Sequence, residues 1–249
     1  MKNITVIIPL QDYLKDTLGK AVKSVPADID TIVVVGSSEM IENVKKDIKE
    51  DGRVQYIVEE KQDLASLLNK GIENCTSEYF AILGADDEFT DIWEKNADEY
   101  MKSKTYASVF LPMIMIEDVN TKSVAGLGNE LAWASAFCQE IGEIDNECLK
   151  SYMGFYINGG IFKTDDVKEV GGLKPSFKIV STYEFLLRLT YNSKRVIVIP
   201  KIGCKHTFGF EKANEEKISQ EEMDWLIKTA QKEMFFKEDR GIKFEKKEE

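Results

Sequence analysis

The chain has 249 residues, 43% hydrophobic and 31% charged, with 44 acidic against 33 basic side chains for a net charge of −11. Such a length supports one full core with a small C-terminal appendage, and the acidic balance argues against a nucleic-acid surface, which needs clustered Lys and Arg. No window reaches the roughly 18 apolar residues that span a bilayer, and the opening apolar run is too short for a signal peptide. On those two counts the chain reads as cytoplasmic, and the four cysteines, which lack CxxC spacing, read as free, mostly buried thiols and not a zinc cluster.

Strand and helix alternate through the first third. Ile4-Thr5-Val6-Ile7-Ile8 is a β-branched run that predicts a buried strand, and residues 13–24 have the period of a helix. A second strand over 31–35, a charged amphipathic helix over 39–50, a third strand over 54–58, a helix over 63–75 and a fourth strand over 79–83 follow. This alternation is the pattern of right-handed βαβ crossovers and a mainly parallel sheet. No GxGxxG follows the first strand and no GxxxxGK[ST] occurs, so the dinucleotide and P-loop readings lose their main support.

After residue 91 the pattern changes. A helix over 91–102 precedes a long Met-rich strand over 107–117, and Asp118-Val119-Asn120-Thr121-Lys122 predicts a hairpin turn. Residues 125–153 carry no clear period, and 131–137 fit helix or strand equally. Thr164 is placed to cap a short helix through residue 170, with Asp165 and Asp166 at its positive end and Gly171-Gly172 ending it. A helix over 181–191, a strand pair over 196–200 and 203–205, and a final helix over 219–237 complete the pattern. Residues 243–249 read as a charged tail with no core-forming content.

The fourth strand runs into Gly84-Ala85-Asp86-Asp87-Glu88. Acids at the C-terminal edge of a parallel sheet can bridge a divalent cation to phosphates in the ligand crevice; they can equally form a solvated turn that caps the next helix. Both readings stand on this segment alone.

Several segments, in order, resemble the family 2 glycosyltransferases, inverting nucleotide-sugar enzymes of the GT-A fold, across roughly residues 3–208. The opening Ile4 to Pro9 is similar to that family's first strand and following proline. Leu68-Asn69-Lys70-Gly71-Ile72-Glu73-Asn74 with Ser77 to Leu83 is similar to the helix and strand leading into its acidic metal motif. Phe162-Lys163 and Glu169-Val170-Gly171-Gly172-Leu173 resemble the segment before the acceptor site, and Tyr183-Glu184-Phe185-Leu186-Leu187-Arg188-Leu189 the helix carrying the catalytic base. The implied fold is α/β, Rossmann-like, a mainly parallel sheet flanked by helices with a C-terminal helix. The implied division is a GT-A domain over 1–210 and a helical extension with charged tail over 211–249.

The resemblance implies a nucleotide sugar as donor, a glycan or other molecule as acceptor, and Mg²⁺ or Mn²⁺ at the diphosphate. It places Pro9, Val35, Gly36, Ala85 and Asp86 at the nucleotide sugar, and Asp86, Asp87 and His206 at the metal. The chain departs from the family at three places. Gly84 stands where the metal motif Asp-x-Asp has its first acid, Val34-Val35-Gly36-Ser37 where Asp-Asp-Gly-Ser reads the nucleobase, and Ser181-Thr182 where a Glu-Asp pair supplies the base. Glu184 is the nearest substitute for that base. Trp93, Trp133 and Trp225 are candidates to stack on sugar rings and Lys163 to meet a phosphate, against the plainer readings of packing and solvation. Two functions follow: a sugar transferase of family 2 type, or a non-catalytic GT-A scaffold that binds protein partners in an assembly.

Overall fold

The computed structural model describes residues 3–11, 17–47, 51–130, 142–208 and 213–232, together with Phe236 and Phe244. Strands β1 (Ile4–Pro9), β2 (Thr31–Gly36), β3 (Val54–Val58) and β4 (Tyr79–Ile82) run parallel in the order β3-β2-β1-β4. Their side chains alternate between two cores. Ile7, Val33 and Val35 face α3 (Leu64–Asn74) through Leu67, Leu68 and Ile72, while Val6, Ile8, Ile32 and Val34 face α1 (Thr17–Ser24) through Leu18, Ala21 and Val22. Helix α2 (Ser38–Asp47) joins the second core through Val44. A β-branched strand buried on both faces needs such a helix layer on each side.

Helix α3 starts where Asp63 accepts a hydrogen bond from the Ser66 N–H at 2.8 Å, a side-chain cap that satisfies one of the helix's orphan donors. It lies so close to β1 that a Cβ on Gly71 would sit 2.5 Å from Ile7 Cγ2. Only glycine admits that approach, which seats α3 directly behind the strand that leads into the crevice.

The second half is mixed. After β5 (Glu88–Phe89) and α4 (Trp93–Ser103), strand β6 (Val109–Asp118) turns into β7 (Val124–Gly128) through the expected hairpin, where Asp118 accepts from the Asn120 and Thr121 N–H groups. β8 (Glu143–Ile144) and α5 (Asn146–Ser151) fall in the stretch without a clear period. β9 (Ile161–Lys163) inserts antiparallel between β4 and β6, giving the order β3-β2-β1-β4-β9-β6-β10-β5 with β7 on β6 and β8 on β10.

The two short strands expected over 196–205 are one, β10 (Val196–Phe208), parallel to β6 through Phe208; register shifts around Ile202 absorb Pro200 and Gly203. Helix α6 (Thr164–Glu169) contains Thr164 rather than being capped by it, because the hydroxyl donates to the Ser77 carbonyl at 2.7 Å and ties the helix to the start of β4. Helices α1 and α2 are described from residue 17 and to residue 47, so the expected ends at 13–16 and 48–50 lie outside the described residues.

Helix α7 (Ser181–Tyr191) lies almost wholly inside the first core, and α8 (Ala213–Ala230) packs on it. Leu226, Ala230 and Phe236 are buried there, Phe236 stacked on Tyr191 at 4.9 Å. The expectation of a C-terminal tail without core-forming residues is corrected at Phe244, whose ring packs on the same core and approaches Gly172. No helix among the described residues is long and apolar enough to cross a membrane.

Candidate functional site

Parallel strands leave their ligand crevice beyond their carboxyl ends, and a cavity of about 630 Å³ opens there. Pro9 at the end of β1 with Gln11 beyond it, and Gly84, Ala85 and Asp86 after β4, form one wall. The segment from Met153 to Asn158, Thr182 and Tyr183 of α7, His206 of β10 and Met223 of α8 form the other. The two walls come from opposite halves of the chain, and β4 and β10 bring Asp86 and His206 onto the same opening.

The adjacent acids divide their tasks. Asp86 lines the crevice, and its carbonyl accepts from the Thr207 hydroxyl at 3.0 Å, which pins the loop to β10. Asp87 is fully buried. Its Oδ1 meets His206 Nδ1 at 2.8 Å, and its Oδ2 accepts from the Asn158 side-chain amide at 2.5 Å and from the Gly84 N–H at 3.2 Å. With both oxygens bonded inside the protein, Asp87 is placed to hold the loop, and His206 keeps Nε2 as its nitrogen for a crevice ligand. Burial disfavours the charged His206 ring, but the hydrogen bond to Asp87 and the charges of Asp87 and Asp86 outweigh it and hold the imidazole above its ordinary value.

The position of the missing acid is closed. A Cβ on Gly84 would lie 2.5 Å from Asp87 Oδ2 and 2.8 Å from its Cγ, so the Asp87 carboxyl occupies the room a side chain there would need. Among the described residues no three His, Cys, Asp or Glu side chains are grouped to hold an ion. Asp86 and His206 therefore fit a divalent cation only when diphosphate oxygens and water complete its shell.

The base-reading positions lie deeper than the resemblance implies. Val35 is buried in the first core against α3, and Gly36 is packed on Leu10, where an added Cβ would stand 2.9 Å from Leu10 Cβ. Neither is on the crevice wall; of the five expected nucleotide contacts, Pro9, Ala85 and Asp86 are.

Glu184 is likewise turned away from the crevice. It is fully buried, its Oε1 accepting from Lys174 Nζ at 2.9 Å and Arg188 Nε at 3.0 Å, and its Oε2 from an Arg188 terminal nitrogen at 2.9 Å. Arg188 also donates to the carbonyls of Val170 and Gly172. The cluster fixes the Gly171-Gly172 turn against α7. Ser181 is buried, and Thr182 brings only a hydroxyl to the wall. Tyr183 donates its hydroxyl to the Leu149 carbonyl, and burial, with help from Tyr191, pushes it up to about 12.

Trp93 is a core residue, stacked on Phe89 at 4.0 Å with its indole N–H donated to the Gly159 carbonyl. Trp225 leans on Phe177, Trp133 lies outside the described residues, and Lys163 pairs with Tyr79 at the end of β4 remote from Asp86. Two site residues escaped the sequence reading. Asn158 precedes Gly159, whose φ of 69° marks a turn that an Asn-Gly pair signals. Glu222 of α8 accepts from the N–H groups of Lys178, Ile179 and Val180, holding the approach to α7 on the crevice rim; one glutamate among the several acids of that helix carries no such signal.

The family model for glycosyl transferase family 2 matches residues 5–144, more than half of the chain. No curated protein matches the sequence. Among solved structures, S. aureus TarS 1-349 in complex with UDP-GlcNAc is similar at a TM-score of 0.63 and 15% identity, over 92% of this chain and 66% of that one. The complex of TarS 1-349 with UDP gives 0.61 and 15% over 92% and 65%, and S. aureus TarS itself 0.58 and 15% over 88% and 42%. The chain thus spans just under two thirds of the TarS 1-349 structures, and at this identity the likeness is one of fold, the GT-A fold. With more than half of its length matched by that one model, the chain belongs to glycosyl transferase family 2.

Proposed function

We propose that the protein binds a nucleotide diphosphate sugar in the crevice, with the diphosphate at Asp86 and His206, and that it transfers the sugar slowly or not at all. The observation that carries this is the single acid on the crevice wall: among the described lining residues only Asp86 brings a carboxylate. Asp87 and Glu184 are spent inside the protein. A metal-assisted inverting transfer asks for one carboxylate at the cation and a second near the acceptor hydroxyl, and one side chain does not serve both.

The donor class is supported by the family and by the UDP and UDP-GlcNAc complexes of TarS, which shares the fold. Mg²⁺ or Mn²⁺, held by Asp86 and the diphosphate, would neutralise the leaving group. With no nucleobase acid at position 35, packing against the crevice wall and backbone groups are left to hold the base, so discrimination among nucleotides is weak. The scaffold reading, in which the donor-filled or empty domain serves an assembly, follows from the same lack of a base. The organisation into a GT-A domain over 1–210 and an extension over 211–249 belongs to this proposal.

Calorimetry with UDP, GDP and CDP sugars, with Mn²⁺ and with chelator, tests the donor site. Millimolar or tighter binding is expected, weakened on the order of tenfold or more by Asp86→Asn. In a transfer assay, loss of a general base costs about 10² to 10⁴ in rate. No nucleotide binding at millimolar concentration removes the donor site, and turnover at an ordinary enzymatic rate overturns the slow-transfer reading.

A further inference from the structure

Strand β7 has a ladder partner on one side only. β6 pairs with its inner edge, and no strand among the described residues takes the outer one. From Val124 to Gly128 the strand reads Val-Ala-Gly-Leu-Gly, without a charge or a proline, and Val124 and Leu127 are 59% and 39% exposed. An edge of this kind is a template for another strand, and proteins ordinarily blunt it with lysine, proline, a bulge or a very short strand; of these β7 carries only a one-residue register irregularity at Ala125 in its pairing with β6. The β5 edge follows that rule, being two residues long and opening with Glu88.

The sequence around β7 is complementary to itself. If two copies run antiparallel with Gly126 opposite Gly126, the Val124-Ala125 end of one copy meets the Leu127-Gly128 end of the other, so the large Val124 and Leu127 meet the small Gly128 and Ala125. The same antiparallel arrangement brings the end of one copy that carries the exposed Lys122 to the end of the other that carries the exposed Glu130, twice by symmetry. Lys122 and Asn129 have φ of 56° and 59°, so the backbone turns just outside the strand and limits pairing to residues 124–128. Gly126 has nothing within 4 Å of an added Cβ, so the centre of the register is open.

We propose that β7 is a self-association edge, and that two copies of this chain join through antiparallel pairing of residues 124–128 about a twofold axis at Gly126. β7 contributes no residue to the crevice wall, so the pairing is independent of whether sugar is transferred. A five-residue ladder with small side chains makes a weak, reversible dimer.

Sedimentation equilibrium of the full 249-residue chain, read against concentration, tests this. A monomer–dimer equilibrium is expected within the micromolar to millimolar range. Leu127→Lys sets two lysines into the shared ladder and is expected to weaken it by on the order of a hundredfold. Lys122→Glu turns both end pairs repulsive and is expected to weaken it about tenfold, while Lys122→Glu with Glu130→Lys restores it. All these positions are exposed, so each variant is checked for an unchanged melting temperature. A monomer at every concentration, or a dimer indifferent to Leu127→Lys, overturns the proposal, as does failure of the double reversal to restore what the single reversal removed.

Discussion

Replacing Glu184 with glutamine tests whether that carboxylate holds the fold or serves chemistry. The change keeps the shape of the side chain and removes the negative charge between Lys174 and Arg188, whose side chains are 11% and 1% exposed. Breaking one partner out of a buried ion cluster costs about 3 to 5 kcal/mol, because the remaining charges stay desolvated. Arg188 keeps its bonds to the Val170 and Gly172 carbonyls, and Lys174 has a path to water, which puts the cost near the lower end, at about 3 kcal/mol. For a chain of this size each kcal/mol moves the melting temperature by roughly 2 to 4 °C, so Glu184→Gln should melt about 6 to 12 °C below the parent. Differential scanning calorimetry without ligand reads this directly. A parent-like melting temperature combined with loss of sugar transfer would refute the argument and return Glu184 to the role of base.

His206 is the only histidine of the chain, so its ring gives one assignable NMR titration. Its midpoint should lie above 6.5 in the native protein and fall in Asp87→Asn, where burial is no longer outweighed; a native midpoint at or below 6.5 refutes the Asp87 contact. Since the folded value is raised, the stabilisation is complete below the unfolded value near 6.5 and is lost as pH rises through the folded one, and the melting temperature should drop across that window. Gly84→Ala should destabilise by about 1 to 3 kcal/mol, because its Cβ meets an Asp87 carboxyl that three hydrogen bonds hold in place. Gly84→Asp should not create a Mn²⁺ site for the same reason. Melting of Gly84→Ala with the parent would show that Asp87 yields.

The parallel half of the fold was legible because each of its signals is local. Continuous β-branched runs at Ile4 and Thr31 belong to strands buried on both faces, and the Asp63 cap with a following apolar period belongs to one helix. The second half depends on distant pairing. β9 is three residues long and finds its place between β4 and β6 only through partners some 50 to 80 residues away in the chain. β10 looked like two strands because Pro200 and Gly203 interrupt the pattern, yet the sheet carries both as irregularities in a single pairing with β6.

The candidate site divides along the same line. A run of acids after a buried strand locates the crevice, since the strand's end is fixed by local sequence, and Asp86 is found there. What the run cannot express is which acid faces outward. Asp86 and Asp87 are chemically identical neighbours, and they are told apart by Asn158 and His206, 71 and 119 residues further on, which claim both oxygens of Asp87. Glu184 has the same history: on the helix of the family's base it reads as a substitute, and only its meeting with Lys174, together with Arg188 one turn on, marks it as part of the frame. A carboxylate in a motif therefore becomes a reactive group only if the rest of the chain leaves its oxygens to the ligand. Here the tertiary partners of Asp87 and Glu184 take them first, which is why a chain with the fold and order of a transferase brings a single described acid to its crevice.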